Sequence, residues 1–226
     1  SAQINGLMLN ENSAEVTLRV NSTSNDIEFV VFPDYGYLNI QTNISIIDGE
    51  DDETKIDVFR GTNSNMLTYS GMMKAEDEIT RHISIHNPTL YFLYGLAHEL
   101  SNHGIVVTGE LIDSDDLDSS INIEDLQLLY TQLSPKFSEV IRALMKNSIN
   151  LYADSFLKLL GHHFGKGDNF EEGEKVIKET LVQFGLEDDS YQYRDGSGLS
   201  RYNYISPIHI VKIFQLEELW IALQTE

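Results

Sequence analysis

Two helical runs meet at a polar break, Ser148-Ile149-Asn150, and that break limits what the chain can build around it. Apolar residues at 140, 141, 144 and 145, and again at 152, 156, 159 and 160, recur at helical spacing on either side. In an uninterrupted helix, residues two apart point to nearly opposite sides, at about 100° per residue. Ser148 and Asn150 therefore serve one site only if the backbone leaves regular helix between them. A hydroxyl and a carboxamide so placed suit acyl transfer: the Ser relays a proton, and the Asn donates to a carbonyl and accepts from a lysine. The competing reading of the same spacing is a polar interruption between two helices.

The rest of the chain falls into a strand-rich part and a helical part. Residues 14–20 alternate with a period near two, and residues 27–32 form a β-branched and aromatic run ended by Pro33-Asp34. The polar stretch 21–26 joins them as a hairpin. Further strands are expected at 40–47, 55–60, 66–72 and 81–85, parted by the acidic turn 48–53 and by Gly61, Asn63 and Gly71. One helix interrupts them, with Pro88 in its first turn after Asn87 and a stop at Asn102-His103-Gly104. The acidic, Ser-rich connection 113–120 marks the domain boundary, which places a mainly β module at 1–120 and a helical one at 121–226. In the second module Ser134 is expected as N-cap with Pro135 at the first helical position, followed by helices at 151–163, 170–184 and from Ser206-Pro207 onward. The fold class is α+β.

Charge and composition exclude several functions. The chain has 226 residues, with 15 Lys and Arg against 36 Asp and Glu, a net charge of −21. Such a surface repels phosphate backbones and anionic lipid, so no nucleic-acid or membrane-surface partner is expected. There is no cysteine, which removes disulfides, thiolate catalysis and Cys-based zinc sites. No apolar run approaches the roughly 18 residues a membrane span needs.

Residues 145–154, Met145-Lys146-Asn147-Ser148-Ile149-Asn150-Leu151-Tyr152-Ala153-Asp154, are followed downstream by Asp195-Gly196-Ser197-Gly198-Leu199-Ser200-Arg201. Both motifs, in this order, resemble those of the D-alanyl-D-alanine carboxypeptidase/endopeptidase family, the class C low-molecular-mass penicillin-binding proteins. Leu7-Met8-Leu9-Asn10-Glu11-Asn12, His86-Asn87-Pro88 and His103-Gly104-Ile105 are similar to that family's β-rich insertion, so the resemblance covers nearly the whole chain. Asp154 stands where the family pattern usually has Glu, a change that keeps the charge.

The resemblance implies the helical part of a penicillin-binding, transpeptidase-like domain preceded by the inserted β module. It implies an acyl-serine hydrolase acting on the D-Ala-D-Ala bond of peptidoglycan stem peptides, with endopeptidase action on cross-links as a further activity and with β-lactams as ligands. Of the family's Ser-x-x-Lys, Ser-x-Asn and Lys-Thr-Gly elements, only the second is recognisable here. The chain is accordingly expected to be a fragment, inactive alone, of an exported, periplasmic or otherwise extracytoplasmic protein. Ser148 would relay a proton to the leaving amine, and Asn150 would hold the substrate and orient the catalytic lysine. Asp195, Ser197 and Arg201 would scaffold the cleft, with the turn fixed by an ion pair between Asp195 and Arg201. No cofactor or metal is implied, and the oligomeric state stays open. The rival function is a non-catalytic module, derived from the same family, that binds wall polymer or protein.

Other constellations carry less. Ser155-Phe156-Leu157-Lys158 formally matches Ser-x-x-Lys, yet it follows Ser-x-Asn in one helix and cannot meet it from a separate element. His98 and His103 are five apart, where a zinc-protease helix requires four. His162 and His163 are adjacent and diverge on a helix, and the acidic turn 48–53 lacks the ligand spacing of an EF-hand loop.

Overall fold

The computed structural model describes residues 3–49, 52–117, 121–186 and 191–224, with only the backbone described for 123 and 216–224. Glu50 and Asp51 of the acidic turn, and residues 118–120 of the Ser-rich connection, lie outside the described residues. The chain is α+β and divides into two compact units, Ser1–Gln127 and Leu128–Glu226.

In the first unit, β1 (Ser13–Val20) alternates as its sequence predicts, with Ala14, Val16 and Leu18 buried and Thr17 outward. It pairs antiparallel with both β2 (Ile27–Phe32) and β6 (Glu78–Ser84), giving a sheet of order β2-β1-β6. The hairpin from β1 to β2 closes through Asn21, whose N–H donates to Asp26 O at 2.8 Å. A second sheet has order β3-β5-β4, built from β3 (Asn39–Ile47), β4 (Lys55–Arg60) and β5 (Met66–Lys74). Here β3 runs parallel to β5 and β4 runs antiparallel to it.

The inner faces of the two central strands make one core. Val16 and Leu18 of β1 join Leu67, Tyr69 and Met73 of β5, flanked by Phe29, Ile44, Ile56 and Ile79. Each such side chain contributes about 1.5–3 kcal/mol by leaving water. The helix α1 (Pro88–Asn102) closes a second cluster, in which Ala14, Ile85 and Tyr91 are buried beside Tyr35 and Tyr37. Asn87 caps it by accepting from Leu90 N–H at 3.0 Å. Its far end stops at a Schellman pair, Gly104 N–H to Ser101 O at 2.9 Å and Ile105 N–H to Leu100 O at 2.8 Å.

The second unit holds α2 (Phe137–Asn147), α3 (Asn150–Phe164), α4 (Phe170–Gln183), α5 (Pro207–Gln224) and a two-residue pairing of β7 (Tyr191–Gln192) with β8 (Tyr204–Ile205). The α2 helix begins two residues later than Pro135 suggests. Lys136 keeps an extended backbone with no side-chain cap, and the first helical residue is Phe137, whose ring meets Phe156 of α3 edge-on at 5.1 Å. Packing against α3, rather than Ser134, sets that boundary. The α3 and α4 helices approach at Gly173, where a Cβ would fall 2.0 Å from the Leu157 carbonyl oxygen. Leu128, Leu129, Tyr130, Leu133 and Met145 leave large apolar surfaces exposed in this unit.

Candidate active site

The junction of α2 and α3 is a defined break. Ser148 ends α2 in the left-handed region, φ 54° and ψ 52°, and Ile149 is extended before α3 starts at Asn150. Ile149 N–H donates to Leu144 O at 3.2 Å, and Ile149 O accepts from Tyr152 N–H at 3.1 Å, so backbone bonds hold the break from both sides. A left-handed serine costs on the order of 1–3 kcal/mol, which surrounding structure must offset. Ser148 and Asn150 are both exposed, and among the described residues neither side chain is committed to a hydrogen bond. A hydroxyl and a carboxamide are thus exposed on the two sides of Ile149.

Asp154, in the second turn of α3, joins this junction to the glycine-rich loop. Its Oδ1 accepts from the backbone N–H groups of Gly196 and Ser197, each at 2.9 Å. Gly196 lies so close that a Cβ there would sit 2.2 Å from the Ala153 carbonyl oxygen. Asp195 shapes the loop from within: Oδ1 accepts from Gly198 N–H and Asn203 Nδ2, and Oδ2 accepts from Ser200 N–H, all at 2.7 Å. Arg194 ties the loop to α4 by donating to both carboxylate oxygens of Glu174, at 3.1 and 3.2 Å.

The expected ion pair between Asp195 and Arg201 does not form. Backbone amides and Asn203 use the Asp195 carboxylate, and Arg201 is exposed with no acidic partner among the described residues. Local amides win because they are fixed in place by the turn, whereas a long exposed guanidinium loses rotamer freedom to pair. Ser197 enters the network through its backbone N–H.

Three participants escaped sequence reasoning: Asn203, Tyr193 and the pairing of Arg194 with Glu174. Asn203 closes the loop by accepting from Arg194 N–H at 2.7 Å. Burial, then the negative charges of Asp195 and Asp154, push the Tyr193 phenol above its ordinary value. The pattern Asp-x-x-Gly carried a readable signal for the Asp195 turn, since an Asp side chain often binds backbone amides a few residues on. Nothing local signalled the Asp154 tie, which joins positions far apart in the chain.

Ser155 and Lys158 do not act as a pair. Ser155 Oγ donates to Leu151 O at 2.7 Å, and Lys158 Nζ lies 5.4 Å from the Phe170 ring centre. Among the described residues, no group of three His, Asp or Glu side chains is arranged to hold a metal. His98 packs on Tyr35 at 5.6 Å between ring centres, and His103 Nδ1 is 2.9 Å from Glu99 O.

A family model described as the D-Ala-D-Ala carboxypeptidase 3 (S13) family matches residues 1–218. Among curated relatives, a penicillin-sensitive carboxypeptidase A of Dictyostelium discoideum is 26% identical over 137 residues, covering 59% of this chain and 25% of its own. A D-alanyl-D-alanine carboxypeptidase DacB of Haemophilus influenzae is 30% identical over 90 residues, covering 39% of this chain and 19% of its own. A D-alanyl-D-alanine carboxypeptidase of an Actinomadura species is 23% identical over 159 residues, covering 68% and 28%. Two crystal structures of penicillin-binding protein 4 (dacB) from Haemophilus influenzae share the fold. The one in complex with a β-lactam superposes with a TM-score of 0.70 at 20% identity, covering 92% of this chain and 47% of that one. The other gives 0.74 at 21%, covering 91% and 45%. The chain therefore spans less than half the length of these solved structures and about a quarter of the curated relatives.

Proposed function

Since the chain belongs to the D-Ala-D-Ala carboxypeptidase 3 (S13) family, we propose that it supplies the Ser-x-Asn part of a serine-type D-Ala-D-Ala carboxypeptidase acting on peptidoglycan stem peptides. The observation that carries this reading is the α2–α3 break, which exposes Ser148 and Asn150 with side chains that, among the described residues, make no hydrogen bond.

In this reading a serine from a Ser-x-x-Lys element attacks the carbonyl of the penultimate D-Ala, and a lysine takes its proton. The tetrahedral adduct collapses, the bond to the terminal D-Ala breaks, and the leaving nitrogen takes a proton relayed through Ser148 Oγ. Water then hydrolyses the acyl-serine. Asn150 donates its amide N–H to a substrate carbonyl and accepts from the lysine, which fixes both before attack. Asp154 and Asp195 act on neither reacting atom. Asp154 ties the loop 194–203 to α3, and Asp195 braces that loop from within.

The 226 residues contain no Lys-Thr-Gly, and their one Ser-x-x-Lys is committed elsewhere, with Ser155 on a backbone carbonyl and Lys158 over an aromatic ring. On their own they are inactive in this reading. Hydrolysis of cross-links belongs to the same chemistry, since the scissile bond is again one that follows a D-Ala carbonyl. Such substrates place the enzyme outside the cytoplasm; among the described residues no helix is long and apolar enough to cross a membrane.

The test is release of D-alanine from a synthetic stem pentapeptide. The product of the complete gene is expected to release it, and residues 1–226 alone are not. Turnover by the 226 residues contradicts the reading, as does a folded gene product that neither hydrolyses the peptide nor is acylated by penicillin.

A further inference from the structure

Six arginines occur in the sequence, and Arg60, at the end of β4, is the one that is not exposed. Its guanidinium donates through Nη1 to Ser84 O and through Nη2 to Ser84 Oγ at 3.2 Å, both neutral acceptors. Among the described residues it meets no carboxylate, although the chain carries 36 acidic side chains. A guanidinium partly withdrawn from water and faced only by neutral oxygens is incompletely compensated.

Arg60 lines a pocket of about 280 Å³ between the turn from β4 to β5 and the junction of β6 with α1. Gln3, Thr62, Asn63, Ser64 and His86 supply the rest of its polar wall, and among the described residues no acidic one lines it. The wall is held in place by reciprocal bonds: Asn65 Nδ2 donates to His86 O at 2.9 Å, and Asn65 Oδ1 accepts from His86 N–H at 2.8 Å. Gln3 is oriented as well. Its Oε1 accepts from Asn87 N–H at 2.8 Å, so its Nε2 is the group that donates to His86 Nδ1 at 3.0 Å. With Gln3 Nε2 donating, His86 Nδ1 is the acceptor of that bond, which leaves the Nε2 side of the ring as a donor.

We propose that this pocket binds an organic carboxylate, with Arg60 as its counter-ion. The remaining guanidinium donors form a planar fork that matches a carboxylate. One cation among neutral amides and hydroxyls suits a monoanion; a phosphate dianion calls for a second cation, which the wall does not supply. The volume takes a small acid or the end of a peptide, not a larger ligand. This assignment is independent of the acyl-transfer reading, because every residue in it belongs to the first unit and none to the Ser148 junction.

The experiment is an amide nuclear magnetic resonance titration of the 226-residue chain with N-acetyl-D-alanine, N-acetyl-D-alaninamide and inorganic phosphate. The acid is expected to shift the amides of Gly61, Asn63, Ser64 and His86 and to saturate, while the uncharged amide leaves them in place. Arg60→Gln is expected to weaken the acid by about tenfold or more, the scale of a lost charge-assisted pair, with Arg60→Lys between it and the native chain. Arg142→Gln, at an exposed arginine of α2, leaves the titration unchanged. Equal shifts with acid and amide, tighter binding of phosphate, or no shift in the folded chain overturns the proposal. If Arg60→Gln fails to fold, the acid-against-amide comparison on the native chain still decides it.

Discussion

The Asp154 carboxylate accepts a hydrogen bond from the Gly196 backbone N–H at 2.9 Å, and this contact is the hinge between the Ser148 junction and the glycine-rich loop. Ser197 N–H shares the same oxygen at 2.9 Å. Charged acceptors of this kind are worth about 1.5–3 kcal/mol each way they are broken, against roughly 1 for neutral ones. Asp154→Asn is therefore expected to weaken the loop by about 1–2 kcal/mol, read as faster hydrogen exchange at Gly196 and Ser197. Asp154→Glu keeps the charge, displaces the acceptor by one methylene and is expected to fall between the two. Unchanged exchange in Asp154→Asn would show that the loop is held by Asp195 alone.

The close approach of α3 and α4 makes Gly173 a steric test. Any side chain there runs into the Leu157 carbonyl, a backbone atom that cannot rotate away. Gly173→Ala should destabilise the second unit by about 1–3 kcal/mol, the usual cost of overpacking, although alanine favours helix intrinsically. Urea unfolding followed by probes within that unit measures it, and a stabilised variant would refute the close packing.

Tyr69 buries its whole side chain, and its hydroxyl has no hydrogen-bond partner among the described residues. Burial accordingly pushes its ionisation upward, with the Arg81 charge opposing. Tyr69→Phe removes the unsatisfied hydroxyl while keeping the ring, which packs on Phe29 at 5.1 Å. It is expected to be neutral or stabilising by about 1 kcal/mol in thermal unfolding. A clear loss of stability would mean that the hydroxyl has a partner.

Alkaline pH offers a further check. Burial, then the neighbouring Tyr35 and Asp34, push the Tyr91 phenol from an ordinary 10.0 up to about 12. The unfolded chain therefore gives up this proton first as pH rises. The stabilisation is complete below pH 10.0 and declines as pH climbs toward 12, because the folded state holds a proton that the unfolded state has lost. Stability of the first unit should fall over that window, and Tyr91→Phe should flatten the fall. An equally steep decline in Tyr91→Phe would place the sensitivity elsewhere.

Much of this was legible in the sequence, for identifiable reasons. The runs at 27–32 and 55–60 carry β-branched and aromatic residues between clear turn signals, and β2 and β4 occupy those positions. What stayed hidden was longer-range. Period alone does not say that β3 lies parallel to β5, since strand partners are chosen by packing of the two sheets. β7 and β8 are two residues each, too short to have a period. At the site, Ser148 and Asn150 stood out because a helical pattern broke around them. Asp154 was visible only as a motif position and its role was hidden, since its carboxylate acts on amides that only tertiary folding brings near.

The most direct test of the account is covalent labelling of the complete gene product by a fluorescent penicillin, with Ser148→Ala and Asn150→Ala beside the native form. The acyl-transfer reading predicts that the native protein labels and that both variants label at least about tenfold more slowly while remaining folded, because each loses an interaction made at the reacting centre. Labelling of both variants at the native rate would contradict it and leave Ser148-Ile149-Asn150 as no more than a turn between two helices.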